Sequence, residues 1–322
     1  MLRLTLVLLL ICAPALADEL EEARGLVETG SFEEARGILE GAIEVPSQRA
    51  QGLVLLTEAL NGLEEYEEGV KIGEEAVELL PESSEAHLQY AVALRIKMSN
   101  VGKMKAMFTV GTYKKELQRA IDLDPGNVDA LTEEVGYLGN APGIAGGDLD
   151  KAREKAQELR KYDERAAAQM LAQIEMKDGH PDKAIQALEE LVEATPDDWL
   201  SRFQLAMMLQ GEERYQDADL QFAAVVDGGD RRLSLGALYQ RARTRVLGKY
   251  DQEKAVELLK EYAKLPAADL TGLPSASSAH WRMGNAYEQL NRKPDARAAY
   301  QTALRLDPEN KEAKKALKSL GR

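Results

Sequence analysis

Residues 281–308 read W-R-M-G-N-A-Y-E-Q-L-N-R-K-P-D-A-R-A-A-Y-Q-T-A-L-R-L-D-P. Gly284 and Tyr287 stand three apart, so they share one face of a first helix. Ala296, Tyr300, Ala303 and Pro308 then give A-x3-Y-x2-A-x4-P on a second helix. The small residues Gly284, Ala296 and Ala303 let the two helices approach closely, and Tyr287 and Tyr300 fill the space between them. Pro308 stops the second helix by removing a backbone donor. A hairpin of this kind cannot bury its apolar face alone. It must stack on its neighbours, and stacked hairpins make a surface that binds rather than reacts.

The Ala296 position recurs upstream as Ala35, Gly69, Tyr113, Ala152, Ala184, Ala218 and Ala255, with gaps of 34, 44, 39, 32, 34, 37 and 41 residues. Small or apolar residues follow each anchor at the expected offsets, as in Leu39 and Ala42 or Phe222 and Val225. Helix-ending prolines recur as Pro81, Pro125 and Pro196, and turn residues mark Gly30-Ser31, Gly179-His180-Pro181, Gly248-Lys249 and Asn291. The pattern resembles the tetratricopeptide repeat (TPR), a helix–turn–helix unit of about 34 residues. Gly69 and Tyr113 depart from the usual alanine, and the fourth hairpin lacks its closing proline. The resemblance covers roughly residues 18 to 308. It implies an all-α, right-handed α-solenoid of about eight hairpins. Residues 309–320, with charges flanking Ala313, Ala316 and Leu317, read as a capping helix.

The N-terminus gives Met1-Leu2-Arg3, an apolar run from Leu4 to Ala13, and Ala15-Leu16-Ala17. This reads as a secretory signal cleaved after Ala17. The run is shorter than the roughly 20 residues of a membrane span. Ile11 before Cys12 does not fit a lipoprotein signal. Cys12 is the only cysteine, so a mature chain starting at Asp18 holds no thiol. The expected compartment is the bacterial periplasm.

The formal charge is −14. The acidic surplus falls in residues 18–90, which hold 19 acids and 4 bases, whereas residues 91–322 hold 36 of each. Either the first hairpins repel anions, or their glutamates are simply solvated helix faces. Low aromatic content and the lack of a long basic run argue against nucleic acid.

Two insertions stand in neighbouring hairpins, the third and fourth, between first and second helix. The first, near 95–115, carries six bases and no acid. Met98, Met104, Met107, Phe108 and Val110 interleave with Lys103 and Lys105. Methionine-rich surfaces adapt to varied apolar partners. Alternatively, both helices lengthen and pack these side chains on each other. The second, residues 139–148, holds Asn140, Pro142, Gly146 and Gly147 in a compact loop, with Asp148 capping the next helix. Glycine amides at a helix start can hold an anion. The stretch from Ala141 to Asp148, with Lys151-Ala152, resembles one in exported proteobacterial TPR proteins. It is also similar to the TPR subunit of TRAP-type transporters, which implies docking of a solute-binding protein.

Catalytic signatures are absent from the sequence. His87, His180 and His280 have no second histidine or cysteine at metal spacing, and no H-E-x-x-H or G-x-S-x-G occurs. No cofactor or metal is expected. The inner groove of a TPR domain is the other binding surface that the resemblance implies. Here it offers Phe203 and Met207 on the sixth hairpin, and Trp281, Arg282 and Asn285 on the eighth. Phe203 and Trp281 equally suit the core between repeats. The reading is a non-catalytic periplasmic scaffold for a protein or peptide partner. The alternatives are a transport accessory positioning a small apolar or anionic ligand, and an enzyme.

Overall fold

The computed structural model describes residues 12–320. Most of the apolar run read as a secretory signal, up to Ile11, lies outside them. Among the described residues there is no strand, and seventeen α-helices follow one another. They pair as eight hairpins: α1 (Cys12–Glu28) with α2 (Phe32–Ala42), α3 (Arg49–Gly62) with α4 (Tyr66–Leu79), α5 (Ser84–Asn100) with α6 (Lys103–Leu123), and α7 (Val128–Asn140) with α8 (Leu149–Leu159). Then come α9 (Glu164–Lys177) with α10 (Pro181–Ala194), α11 (Trp199–Gly211) with α12 (Tyr215–Gly228), α13 (Arg231–Gly248) with α14 (Gln252–Tyr262), and α15 (Ala276–Gln289) with α16 (Lys293–Leu306). A last helix, α17 (Lys311–Leu320), follows. The class is the expected all-α, TPR-like solenoid. The chain divides into two compact units, one ending at Met170 and the other beginning at Leu171.

The repeat register is visible in burial. The anchor is the fourth residue of α2, α4, α8, α10, α12, α14 and α16. All these anchors are buried, and the six alanines among them show no exposure. A methyl group or a hydrogen at this point sets how closely the two helices of a hairpin can pack. The prolines act as expected: α4, α6, α10 and α16 each end two residues before Pro81, Pro125, Pro196 and Pro308.

Six hairpins share one turn. Gly30, Glu64, Gly179, Glu213, Lys249 and Asn291 all have φ between 55° and 79°. In each, the next amide donates to the carbonyl five residues back, as Ser31 does to Leu26 and Arg292 to Tyr287. This is the Schellman closure of a helix C-terminus. Glu64 and Glu213 give no turn signal in the sequence, because glutamate rarely adopts positive φ. The third hairpin lacks this turn, and in the fourth the same closure, from the Gly147 amide to Pro142 O, ends the inserted 3-10 turn and not the first helix.

The eighth hairpin shows why its residues are small. A Cβ on Gly284 would stand 2.2 Å from the Tyr300 ring. Tyr300 is fully buried, and its hydroxyl donates to Asn285 Oδ1 at 2.8 Å. Ser277 Oγ donates to Ala303 O at 2.9 Å, and Asn310 Nδ2 donates to Ser277 Oγ at 2.9 Å. The third hairpin repeats this relay: Ser84 Oγ donates to Ala120 O, and Asn127 Nδ2 to Ser84 Oγ, both at 2.8 Å. Serine and asparagine are 43 residues apart in the third hairpin and 33 in the eighth. Ten extra residues are therefore held between the same two fixed points.

The acidic first hairpins are knitted by their few bases. Arg36 reaches Glu40, Glu65 and Glu68 at 2.8, 3.0 and 3.4 Å, and Arg49 pairs with Glu75. Among the described residues no helix is long and apolar enough to cross a membrane.

Candidate binding site

The ten extra residues of the third hairpin are helical. Helices α5 and α6 have 17 and 21 residues, against 14 each for α15 and α16. Tyr113, the anchor of α6, is its eleventh residue rather than its fourth. The seven residues added ahead of it make about two turns. Those turns carry Lys103, Met104, Lys105, Met107 and Phe108. Their apolar side chains do not fold back onto the hairpin: Met104 is 78% exposed, Phe108 82% and Met107 47%. The expectation that the lengthened helices bury these side chains on each other does not hold for these three.

The fourth hairpin inserts a true loop. Asn140 ends α7, and a single 3-10 turn, Gly143–Ala145, holds Ile144 out at 85% exposure. The loop's own geometry accounts for the two following glycines. Gly146 has φ 98°, and a Cβ on Gly147 would lie 1.7 Å from Ala141 O. The amides of Gly146, Gly147 and Asp148 donate to Gly143, Pro142 and Leu138 carbonyls. Amides spent in this way cannot hold an anion, which removes the main support for that expectation. Asp148 caps α8 through the amides of Asp150 and Lys151 at 3.1 Å. These bonds, led by the Lys151 amide, hold its carboxyl below the usual carboxylate range. A carboxylate in that position further repels anions.

The two insertions meet around one cleft of about 900 Å³. One wall is a stripe of α6: Lys103, Ala106, Met107 and Val110. The facing wall is a stripe of α7: Glu133, Gly136, Tyr137 and Asn140. The end of α5 adds Arg95 and Met98, the residue after it Val101, and the loop adds Pro142 and Ile144. At the base, Arg95 Nε lies 2.7 Å from Glu133 Oε1, which also accepts from the Tyr113 hydroxyl at 3.0 Å. Burial, and then the Glu133 charge, push the Tyr113 phenol far up. It therefore stays a neutral donor. Tyr137 stacks near Tyr113 with centroids 4.7 Å apart and donates its hydroxyl to Ala145 O, tying α7 to the loop. Lys103 and Lys105 are exposed, and no ion pair among the described residues engages them.

The inner-groove residues do not converge on one centre. Phe203 and Met207 pack on the sixth-hairpin core, with the Phe203 ring 5.4 Å from Phe222. Trp281 packs on a separate cluster around the seventh and eighth hairpins. The Arg282 guanidinium covers the Trp281 ring at 4.2 Å, and Asn285 is engaged by Tyr300.

His87 and His280 are held within the fold. His87 Nε2 donates to Pro81 O at 3.0 Å, and Nδ1 meets Glu116 at 2.6 Å. Burial, then Arg305, hold His280 below the ordinary imidazole range. His180 lies in a group with Glu175 and Asp178 that spacing rules pass over: their ligand atoms fall within 4.8 Å of one another. His180 Nδ1 is 3.3 Å from both carboxylates, and Lys183 Nζ is 4.0 Å from Glu175. The protein thus supplies its own cation beside this turn.

The description "Tetratricopeptide repeat" matches residues 165–208 and 277–310. The chain carries tetratricopeptide repeats, a class of repeat that generally serves as a protein-interaction scaffold. Among solved structures it is similar to TTC0263, a thermophilic TPR protein of Thermus thermophilus. That likeness is 17% identical over 60% of this chain and 98% of that chain, with a TM-score of 0.52, and shows the shared fold. Pseudomonas aeruginosa pilF (16% identical, 83% and 95% covered, TM-score 0.45) and a tetratricopeptide repeat protein from Parabacteroides merdae ATCC 43184 (11%, 96% and 100%, 0.41) are more distant. No curated protein matches the sequence.

Proposed function

We propose that the chain is a non-catalytic scaffold of the bacterial cell envelope that captures a protein partner at the edge built by its third and fourth hairpins. The observation that carries this is an open apolar cleft lined by Met98, Met107, Val110 and Ile144, with Met104 and Phe108 exposed on the same added turns of α6. Exposed apolar side chains gathered in one patch mark an interaction surface. Export to the periplasm rests on the Met1–Ala17 reading. A mature N-terminus at Asp18 supports it, and one at lipidated Cys12 sinks it.

A photo-crosslinking residue at Met107 should capture a partner from envelope extracts, and one at the exposed Gln301 should not. The Met104→Asp/Phe108→Asp double variant should lose the crosslink. Equal capture from Phe203 and Trp281 positions would move the site to the inner groove. The transport-accessory reading draws on the cleft's size, which lies within the range of small-ligand pockets, and on the loop's resemblance to the TRAP-type subunit. Native mass spectrometry showing a co-purified small molecule would favour it.

A further inference from the structure

Both walls of the cleft are helical stripes at i, i+3, i+4 and i+7. That is the face a helix turns toward a neighbouring helix. A cleft walled by two such faces has the shape left when one helix is taken from a helical bundle. Gly136, in the middle of the α7 wall, faces open space: nothing stands within 4 Å of where its Cβ would lie. A glycine inside a helix costs stability relative to alanine, and here it lets another backbone come close. The opposite wall offers the equally small Ala106.

The charges select the occupant further. The sequence from Arg95 to Lys115 has six bases and no acid. The acid of the α7 wall, Glu133, is engaged by Arg95 and Tyr113. Lys103 lines the cleft and is exposed, whereas Met104, Lys105 and Phe108 are exposed on the other faces of the same added turns. A flat bilayer can touch the rim but cannot fill the cleft behind it.

Resting on the reading of this edge as the partner surface, we infer that the partner inserts one amphipathic helix between α6 and α7. Its apolar ridge fills the cleft, and acidic residues flank the ridge opposite Lys103. This is helix-in-groove recognition, with methionines adapting to the ridge.

Fluorescence anisotropy on the full chain tests it with three labelled synthetic helices. One carries a leucine ridge flanked by glutamates, one the same ridge flanked by lysines, and one the glutamate composition with its ridge scrambled. The first should bind saturably, and the other two about tenfold more weakly or less, a difference of about 1.4 kcal/mol. Lys103→Glu should abolish the preference for glutamate over lysine flanks, and Lys105→Glu, on the far face of α6, should leave it. Gly136→Leu, whose Cβ meets nothing within 4 Å in the free protein, should block binding while helical circular dichroism is kept and melting is not lowered. Equal binding of the scrambled helix overturns the inference. So does capture by vesicles of phosphatidylcholine and phosphatidylglycerol that depends on Met104 and Phe108, or self-association that depends on them. If the Met107 crosslink persists while none of the helices binds, the inference falls and the partner surface stands. If both fail, both fall.

Discussion

The third and eighth hairpins are pinned by the same serine–asparagine relay, yet one aromatic residue from each has the opposite fate. Tyr300 is fully buried against Gly284, whereas Phe108 is 82% exposed on the two added turns of α6. The relay fixes where each second helix ends relative to its first. Ten added residues therefore lengthen both helices beyond the shared core, and the apolar side chains they bring stay uncovered. The eighth hairpin spends Tyr300 on stability, and the third keeps Met104, Met107 and Phe108 of its added turns free for contact. The widest test is Tyr300→Ala against Phe108→Ala in urea unfolding. Tyr300→Ala should cost about 3–5 kcal/mol, as for a buried aromatic. Phe108→Ala should stay within about 0.5 kcal/mol, as for a surface site. A large loss at Phe108 would break the comparison and make the edge structural.

The fourth hairpin sharpens the contrast, since its loop touches the same cleft yet has no slack. A Cβ on Gly147 meets the Ala141 carbonyl at 1.7 Å. Gly147→Ala should therefore cost about 1–3 kcal/mol, the usual range for overpacking. Hydrogen exchange at the end of α7 and the start of α8 reads this directly. An unchanged exchange pattern would show that the loop can relax, and would return the glycine to a purely functional role.

The fold was legible because its signals are steric. An anchor that must be small, a proline that must end a helix and a glycine in a turn each leave a mark on the sequence. The turns at Glu64 and Glu213 left none, because the backbone there follows from packing on both sides and not from residue preference. At the cleft, the α6 wall and the loop could be named from composition. The α7 wall could not: Gly136 and Tyr137 sit in an ordinary first-helix pattern, and their role appears only when the extended α6 stands opposite. The glycines of the loop pointed to an anion on composition alone, whereas their amides are consumed by the turn they build.

If the relay is the common ruler, its two copies should weigh alike. Asn127 and Asn310 each donate to a serine and cap the next helix through their Oδ1, to the Ala130 and Ala313 amides at 3.0 and 2.9 Å. Alanine at either position should cost about 1–2 kcal/mol, the range for a lost cap. Unequal costs in the two hairpins, measured by urea titration, would mean that the insertion has loosened the ruler it hangs from.

The smallest expected effect separates the two units that hold these hairpins by the sign of their response to mild acid. In the first unit, Glu58 on α3 is pushed from its ordinary 4.5 to about 7, by burial first and then by the Glu85 charge. The folded form binds that proton more tightly than the unfolded chain. Its stabilisation is full below pH 4.5 and lost as the pH rises through about 7. In the second unit, His280 on α15 is held below its ordinary 6.5, by burial first and then by Arg305. Its stabilisation is present above pH 6.5 and lost as the pH falls through the lower folded value. Moving from pH 7 to pH 5 should thus raise amide protection, measured against the intrinsic exchange rate at each pH, around α3 and lower it around α15. Glu58→Gln should flatten the first response alone, and His280→Gln the second alone. If either variant alters both regions, or if the wild-type regions shift in the same direction with neither variant changing them, burial at these two side chains is not what sets the response.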